Sequence, residues 1–136
     1  MIYELREYTV IPGRMAELVK RFNVHTFQLF EKYGIDCVFC SLTDVGENSN
    51  NELVYVVRFD SSADRDEKWA KFVSDPEWRE VRELSEKAAG GPLVASIRNR
   101  ILSPALFTPP RNGGGRRSAG SGARGLLDNT SVASNT

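Results

Sequence analysis

Three polar side chains that could take part in chemistry alternate along the first segment of the chain, at Glu4, Arg6 and Tyr8. Successive side chains of a β-strand point to opposite faces, so these three share one face if the segment is a strand. Such a row can line a pocket between a sheet and a covering helix. It can equally pair with residues of an edge strand or of a dimer contact, and both roles stay open.

His25 is the only histidine of the chain. It follows Leu18 by seven positions and precedes Leu29 by four, so it lies on the apolar stripe of a predicted helix. An imidazole titrates near neutral pH, which makes His25 a candidate base or ligand-anchoring group. The alternative is a histidine at the edge of the core that bonds to one polar partner, and the spacing alone favours this alternative.

The remaining motifs argue against a metal or a cofactor. Cys37 and Cys40 form a C-x-x-C pair, but residues three apart in a strand point to opposite faces, and no second pair completes a zinc site. We expect both to be small buried hydrophobic residues in a reducing compartment. The sequence has no Gly-rich phosphate loop and no nucleophile motif. Any chemistry would therefore be cofactor-free or substrate-assisted.

The hydrophobic pattern around these residues predicts strands at 2–11, 35–42, 53–59 and 93–102, with a long amphipathic helix at 14–33. Two further helices are predicted after residue 60, with Ser61 as a cap of the first, and with Asp75 and Pro76 at the start of the second. The order β-α-β-β-α-α-β is that of the ferredoxin-like α+β fold, a four-stranded antiparallel sheet with helices on one face.

The strand at 53–59 is apolar at six of its seven positions, so both of its faces need cover. Its exception, Arg58, needs a carboxylate or a backbone acceptor if it is buried, and Glu4 is one candidate. Helices on one side of the sheet would leave a large apolar patch on the other side of a monomer. A second copy packed sheet against sheet removes that patch, so we predict a homodimer with a barrel-like core.

Length and composition limit the number of domains and the kinds of partner that we expect. At 136 residues the chain fits one domain, and its 18 Lys and Arg balance 18 Asp and Glu, which favours neither nucleic acid nor a membrane surface as a partner. No apolar run reaches the roughly 20 residues of a membrane span, and no leader precedes Met1, so we expect a cytoplasmic protein. Residues 1–108 form the predicted domain. Residues 109–136 are rich in Gly, Ser and Arg and are predicted to be a disordered tail.

The sequence resembles the NIPSNAP family over about residues 1–108. The matching motifs are Tyr3-Glu4-Leu5-Arg6-x-Tyr8-Thr9 with Pro12-Gly13-Arg14-Met15, then His25-Thr26 with Leu29-Phe30-Glu31 and Gly34-Ile35, then the segments 51–61, 64–72 and 75–78. The resemblance implies a dimeric α+β barrel. Relatives of that barrel include cofactor-free monooxygenases, haem-degrading or haem-binding enzymes and small-molecule isomerases, whose ligands sit between sheet and helices. The resemblance to the NIPSNAP family implies no particular activity, because that family has no settled catalytic activity.

Because Arg6, Tyr8, His25 and Thr26 match family motifs, we expect them to line a ligand cleft together with Glu4. The first hypothesis is a homodimeric domain that binds a small, partly apolar ligand there. The second is a cofactor-independent monooxygenase or isomerase in which His25 is the base and Arg6 steadies an anionic intermediate. The third is a non-catalytic protein-interaction module whose tail makes the contact.

Overall fold

A computed structural model describes residues 1–104 of the chain. Within this part the elements follow one another in the predicted order. They are β1 (Ile2–Val10), α1 (Met15–Arg21), a π-helical turn (Phe22–Thr26), α2 (Phe27–Tyr33), β2 (Asp36–Leu42), β3 (Glu52–Phe59), α3 (Ser62–Ser74), α4 (Pro76–Ala89) and β4 (Val94–Leu102). The predicted tail, residues 109–136, lies outside the described residues. None of the helices described is long and apolar enough to cross a membrane.

The four strands form one antiparallel sheet in the order β2-β3-β1-β4. The first strand is therefore central, with β3 on one side and β4 on the other. Its residue Arg6 stands opposite Tyr55 of β3 and Asn99 of β4. This topology confirms the predicted ferredoxin-like α+β fold, and it places the polar row of β1 in the middle of the sheet.

The two faces of β3 are covered to different degrees. The helix-facing residues Leu53, Tyr55, Val57 and Phe59 are all buried. Arg58 lies on the other face, opposite Tyr3 of β1, and its side chain is 44% exposed and pairs with Asp36. The suggested pairing of Arg58 with Glu4 is therefore wrong, because Glu4 lies on the helix-facing side.

The segments α1, the π turn and α2 join into one continuous helix, residues 15–33, as predicted. In the π turn the backbone N–H of Phe27 donates to the carbonyl of Phe22, five residues back, which adds one residue to that turn. The extra residue changes which side chains face the sheet. After Phe22 the inward position falls on Thr26, which is 2% exposed, and the half-buried His25 turns outward.

A β-bulge between Cys37 and Phe39 shifts the register of β2 against β3. Cys37 consequently stands opposite Val57 and Cys40 opposite Tyr55, so both thiols point to the helix-facing side. The expectation of opposite faces is wrong for this reason. Both cysteines are free and half-buried against the core, as far as the described chain shows. Burial, and then the neighbouring Cys37, raise the pKa of Cys40 to about 11, which keeps its thiol protonated at neutral pH.

Both predicted capping residues are in place on the helices that cover the sheet. Ser61 accepts a hydrogen bond from the backbone of α3, and Asp75 accepts two from the backbone of α4. Asp75 also bonds to the side chains of Lys32 and Tyr33 at the end of α2. The turn between α3 and α4 is thereby tied to the long helix, and this tie fixes the helices that form the wall of the cleft described next.

Candidate functional site

A cleft of about 650 Å³ lies between the helix-facing side of the sheet and the helices. Its aromatic lining residues are Tyr8, Phe22, Phe30, Tyr55, Trp69, Phe72 and Trp78, and its charged ones are Arg6, Arg21, Arg65, Arg82 and Glu86. A cavity of this size with mostly apolar walls and a few convergent polar groups is the usual form of a small-molecule site. Four arginines against one glutamate make its lining positively charged.

Glu4 lies behind this lining and is fully buried. Its carboxylate accepts hydrogen bonds from Arg6 Nη1 at 2.8 Å, from Arg65 Nε at 2.8 Å and Nη2 at 3.1 Å, from Trp69 Nε1 at 2.8 Å and from Asn99 Nδ2 at 2.9 Å. Contrary to the prediction, Glu4 is not among the described residues that line the cleft. Because all of these donors bind to one carboxylate, the role of Glu4 is to hold cleft-lining side chains in place.

The ionisation of Glu4 follows from the same contacts. Burial by itself raises the pKa of its carboxyl group, but the hydrogen bonds from Arg65, Asn99 and Trp69 and the charge of Arg6 outweigh it. The net effect lowers the pKa from 4.5 to about 2. Glu4 is therefore an anion throughout the physiological pH range, and it compensates part of the positive charge at the cleft.

Arg6 presents its guanidinium to the cleft in a fixed orientation. Its Nη1 donates to Glu4, its Nε donates to Tyr55 Oη at 2.8 Å, and its Nη2 donates to Tyr8 Oη at 3.3 Å. Its guanidinium carbon lies 4.7 Å from the centre of the Trp69 ring, a cation–π contact. Because these contacts already order the side chain, a ligand that binds Arg6 loses little additional conformational entropy in doing so.

The phenols of Tyr8 and Tyr55 meet on neighbouring strands, with their hydroxyl oxygens 2.7 Å apart. Tyr55 is 1% exposed, whereas Tyr8 is half-buried and its ring stands edge-on to Tyr55 and Phe22. Burial, and then the neighbouring Tyr8, raise the pKa of Tyr55 well above its usual value. The Tyr55 hydroxyl therefore keeps its proton. Both side chains line the cleft, and Tyr8 is the more exposed of the two.

Arg21 brings a second, less fully paired charge to the cleft. Its side chain is 6% exposed, Nη1 donates to Ser85 Oγ at 3.1 Å, and Glu86 Oε2 is 4.0 Å away. Its guanidinium lies 5.3 Å from the centre of the Trp78 ring. Within residues 1–104, Nε of Arg21 has no hydrogen-bond partner. Burial is the main reason that the pKa of Arg21 is lowered, with the charge of Glu86 opposing it.

The structure thus brings together three of the five residues predicted for the site. Arg6, Tyr8 and Thr26 line the cleft, and Glu4 supports it from behind. His25 instead lines a separate groove of about 480 Å³ on the outer side of α1 and α4. It does not reach the cleft lining of the described chain, because the π turn gives the inward position to Thr26.

Sequence reasoning missed Tyr55, Trp69, Arg21 and Arg65 as cleft residues. Tyr55 and Trp69 are large aromatic residues of the kind that fill a core, but each also carries a polar atom that needs a partner when it is buried, and this was the available signal. Arg65 lies 61 positions from Glu4 in the sequence, and no local pattern links the two. Regular helical spacing places Arg21 on the inward face, three positions after the buried Leu18, and this was the signal that could have identified it.

The arrangement offers positive charge and hydrogen-bond donors beside flat aromatic surfaces. Within residues 1–104, no group of three or more His, Cys, Asp or Glu side chains is placed to hold a metal ion. Such a site can bind and orient an anionic oxygen next to an apolar body.

Several solved structures share the fold of this chain. A NIPSNAP-like domain protein from Burkholderia xenovorans is 26% identical, with a TM-score of 0.68, over 80% of this chain and 89% of that one. A NIPSNAP family protein from Agrobacterium tumefaciens is 25% identical, with a TM-score of 0.68, over 81% of this chain and 98% of that one. SnoaB, a cofactor-independent oxygenase from Streptomyces nogalater, is 14% identical, with a TM-score of 0.50, over 80% of this chain and 97% of that one. At that identity the likeness to SnoaB concerns the fold alone.

A comparison with curated proteins found no significant match. The model of the NIPSNAP family matches residues 3–109, which include all of the sheet except Ile2, the helices that cover it and every cleft residue named above. The match spans well over half of the chain, and so the chain belongs to the NIPSNAP family.

Proposed function

We propose that this NIPSNAP domain binds a small, partly apolar ligand that carries a negative charge, in the cleft between the sheet and the helices. The single observation that supports this most is the placement of Arg6. Its guanidinium is oriented by Glu4, Tyr55 and Tyr8, is stacked on Trp69, and remains at the cleft lining. A charge held in this way among aromatic rings suits an aromatic anion.

The experiment is a calorimetric titration with 1-naphthoate and with its uncharged analogue 1-naphthylmethanol. The wild-type protein should bind the carboxylate at least about tenfold more tightly, since a charge-assisted hydrogen bond is worth roughly 1.5–3 kcal/mol. Arg6→Met should remove this preference while it keeps much of the binding of the alcohol. Equal affinity of the wild-type protein for both compounds, or no binding of either, would refute the proposal.

We further propose that the domain acts as a homodimer through the open face of the sheet, the face away from the helices. This face carries Phe39 and Leu102, which are 48% and 42% exposed in the single chain. Light scattering after size exclusion should give a dimer for the wild-type protein and a monomer for Phe39→Asp. Val45→Asp is the control, since Val45 is 84% exposed in the loop after β2 and should leave the dimer intact. A monomeric wild-type protein would contradict this part of the proposal.

A cytoplasmic location is also part of this proposal, supported by the two thiols of Cys37 and Cys40, neither of which is in a disulfide in the described chain. The other two hypotheses are not carried forward. A cofactor-independent oxygenase or isomerase with His25 as base lacks its base, because His25 lies in the outer groove. The hypothesis of a protein-interaction module places the partner contact in the tail, which lies outside the described residues.

A further inference from the structure

The hydrogen atoms of the Tyr8–Tyr55 pair can be assigned from the donors around it. Arg6 can only donate, so the Tyr55 oxygen accepts from Nε of Arg6 and the Tyr8 oxygen accepts from Nη2 of Arg6. The two hydroxyl oxygens are 2.7 Å apart, which is a hydrogen bond in which one phenol donates to the other. Two hydroxyl protons are present, and this bond uses one of them.

The direction of that bond follows from burial. If Tyr8 donated to Tyr55, the Tyr55 proton would need another acceptor, and Tyr55 is 1% exposed with no further acceptor for its hydroxyl among residues 1–104. An unmatched donor at such a position carries the full cost of its desolvation. Tyr55 therefore donates to Tyr8. The proton of Tyr8 is left without an acceptor in the described chain, and Tyr8 lines the cleft.

The Tyr8 hydroxyl is also a strengthened donor. Its oxygen accepts one hydrogen bond from a guanidinium and one from a phenol, and bonds in a chain polarise one another. The cross-strand neighbours of Tyr8 and the ring that packs on it are apolar. Tyr8 stands opposite Leu53 on β3 and Ile97 on β4, and its ring contacts Phe22.

We propose that the Tyr8 hydroxyl donates a hydrogen bond to a single charged oxygen on a flat, conjugated ligand, such as a phenolate or an enolate. This inference rests on the proposed function and narrows it from anions in general to this class. A phenolate or enolate has a single anionic oxygen, which carries the largest share of the charge and is attached to a planar apolar body, and this matches one free O–H among aromatic and aliphatic walls. Arg6 supplies the compensating charge beside that oxygen.

The test uses 4-nitrophenol, whose absorption band shows whether the bound form is the phenol or the phenolate. Bound to the wild-type protein, it should ionise at a lower pH than in water. Tyr8→Phe should weaken binding of the phenolate roughly 10- to 100-fold, and it should change binding of uncharged 4-nitrotoluene less than about twofold. Tyr3→Phe is the matched control, because Tyr3 lies on the same strand but on the open face, opposite Arg58 and Leu102.

A second variant does not depend on how well Tyr8→Phe folds. Site-specific 3-fluorotyrosine at position 8 keeps the hydroxyl and makes it more acidic, so phenolate should bind more tightly. If 1-naphthoate binds and depends on Arg6 while phenolate affinity is the same in all of these variants, the role of Tyr8 is refuted and the proposed function stands. If neither 1-naphthoate nor 4-nitrophenolate binds the wild-type protein, the proposed function fails, and this inference fails with it.

Discussion

The carboxylate of Glu4 on β1 and the guanidinium of Arg65 on α3 form a two-point ion pair, with Nε and Nη2 of Arg65 at 2.8 and 3.1 Å from the two carboxylate oxygens. This pair joins the centre of the sheet to a helix that covers it. Because Glu4 also accepts from Arg6 and Trp69, one buried anion determines the positions of three cleft residues. Removing the charge of Glu4 takes from Arg6 its carboxylate partner and leaves Arg65 paired only with the exposed Asp66.

We predict that Glu4→Gln lowers the free energy of unfolding by about 3 kcal/mol at neutral pH, since removal of one partner of a buried ion pair is strongly destabilising. Urea unfolding followed by tryptophan fluorescence measures this. Glu7→Gln is the control on the same strand. Glu7 pairs with Arg98, whose side chain is 77% exposed, so its loss should cost less than about 1 kcal/mol. Equal costs for the two variants would mean that the buried network contributes no more than a surface pair.

The difference between wild type and Glu4→Gln should depend on pH. The folded-state pKa of Glu4 is lowered from 4.5 to about 2, so its stabilisation is fully present above pH 4.5 and is lost as the pH falls through 2. The gap between the two unfolding free energies should therefore close on acidification across this window. Other carboxylates titrate in both proteins and cancel in the difference. A gap that stays constant down to pH 2 would show that Glu4 is not the group that titrates.

Arg21→Met should weaken binding of 1-naphthoate while it leaves stability unchanged or increases it. Arg21 is buried, its Nε is unpaired within the described residues, and a methionine of similar volume removes that desolvated charge. The substitution does not leave the Ser85 hydroxyl without a partner, because Ser85 Oγ also donates to the carbonyl of Arg82. Calorimetry and thermal unfolding on the same samples measure both effects. Arg6→Met, which strips Glu4 of a partner, should instead lower stability.

His25→Ala should leave the affinity for 1-naphthoate unchanged within about twofold, because its side chain lies in the outer groove and makes no contact that a cleft ligand uses. Thr26→Leu, one position along the same turn, places a larger side chain in the cleft and should weaken binding. Circular dichroism confirms that both variants fold. Loss of binding in His25→Ala with normal binding in Thr26→Leu would contradict this account, because it would mean that His25 and not Thr26 faces the cleft.

The fold was predictable because its signals are local. Alternation along β1 and β3, the cap at Asp75 and the long apolar stripe of residues 15–33 each arise within a few positions of one another. The row of Glu4, Arg6 and Tyr8 was predictable for the same reason, since a period of two places them on one face.

Two irregularities of the backbone could not be predicted from the sequence. The π turn moves Thr26 to the cleft in place of His25, and the bulge in β2 turns Cys37 and Cys40 to the same face. Each inserts one residue into a regular repeat, and the apolar pattern around it looks the same with or without the insertion. The contacts of Glu4 with helix α3 could not be predicted either, because they form between groups more than 60 positions apart.

A crystal structure of the protein with bound 4-nitrophenol tests the central claim most directly. The prediction is a phenolate oxygen within hydrogen-bonding distance of Tyr8 Oη and on the guanidinium side of Arg6, with the ring against Phe22 and Ile97. A ring seated in the outer groove beside His25, or one in the cleft with its oxygen turned away from Tyr8, would contradict it.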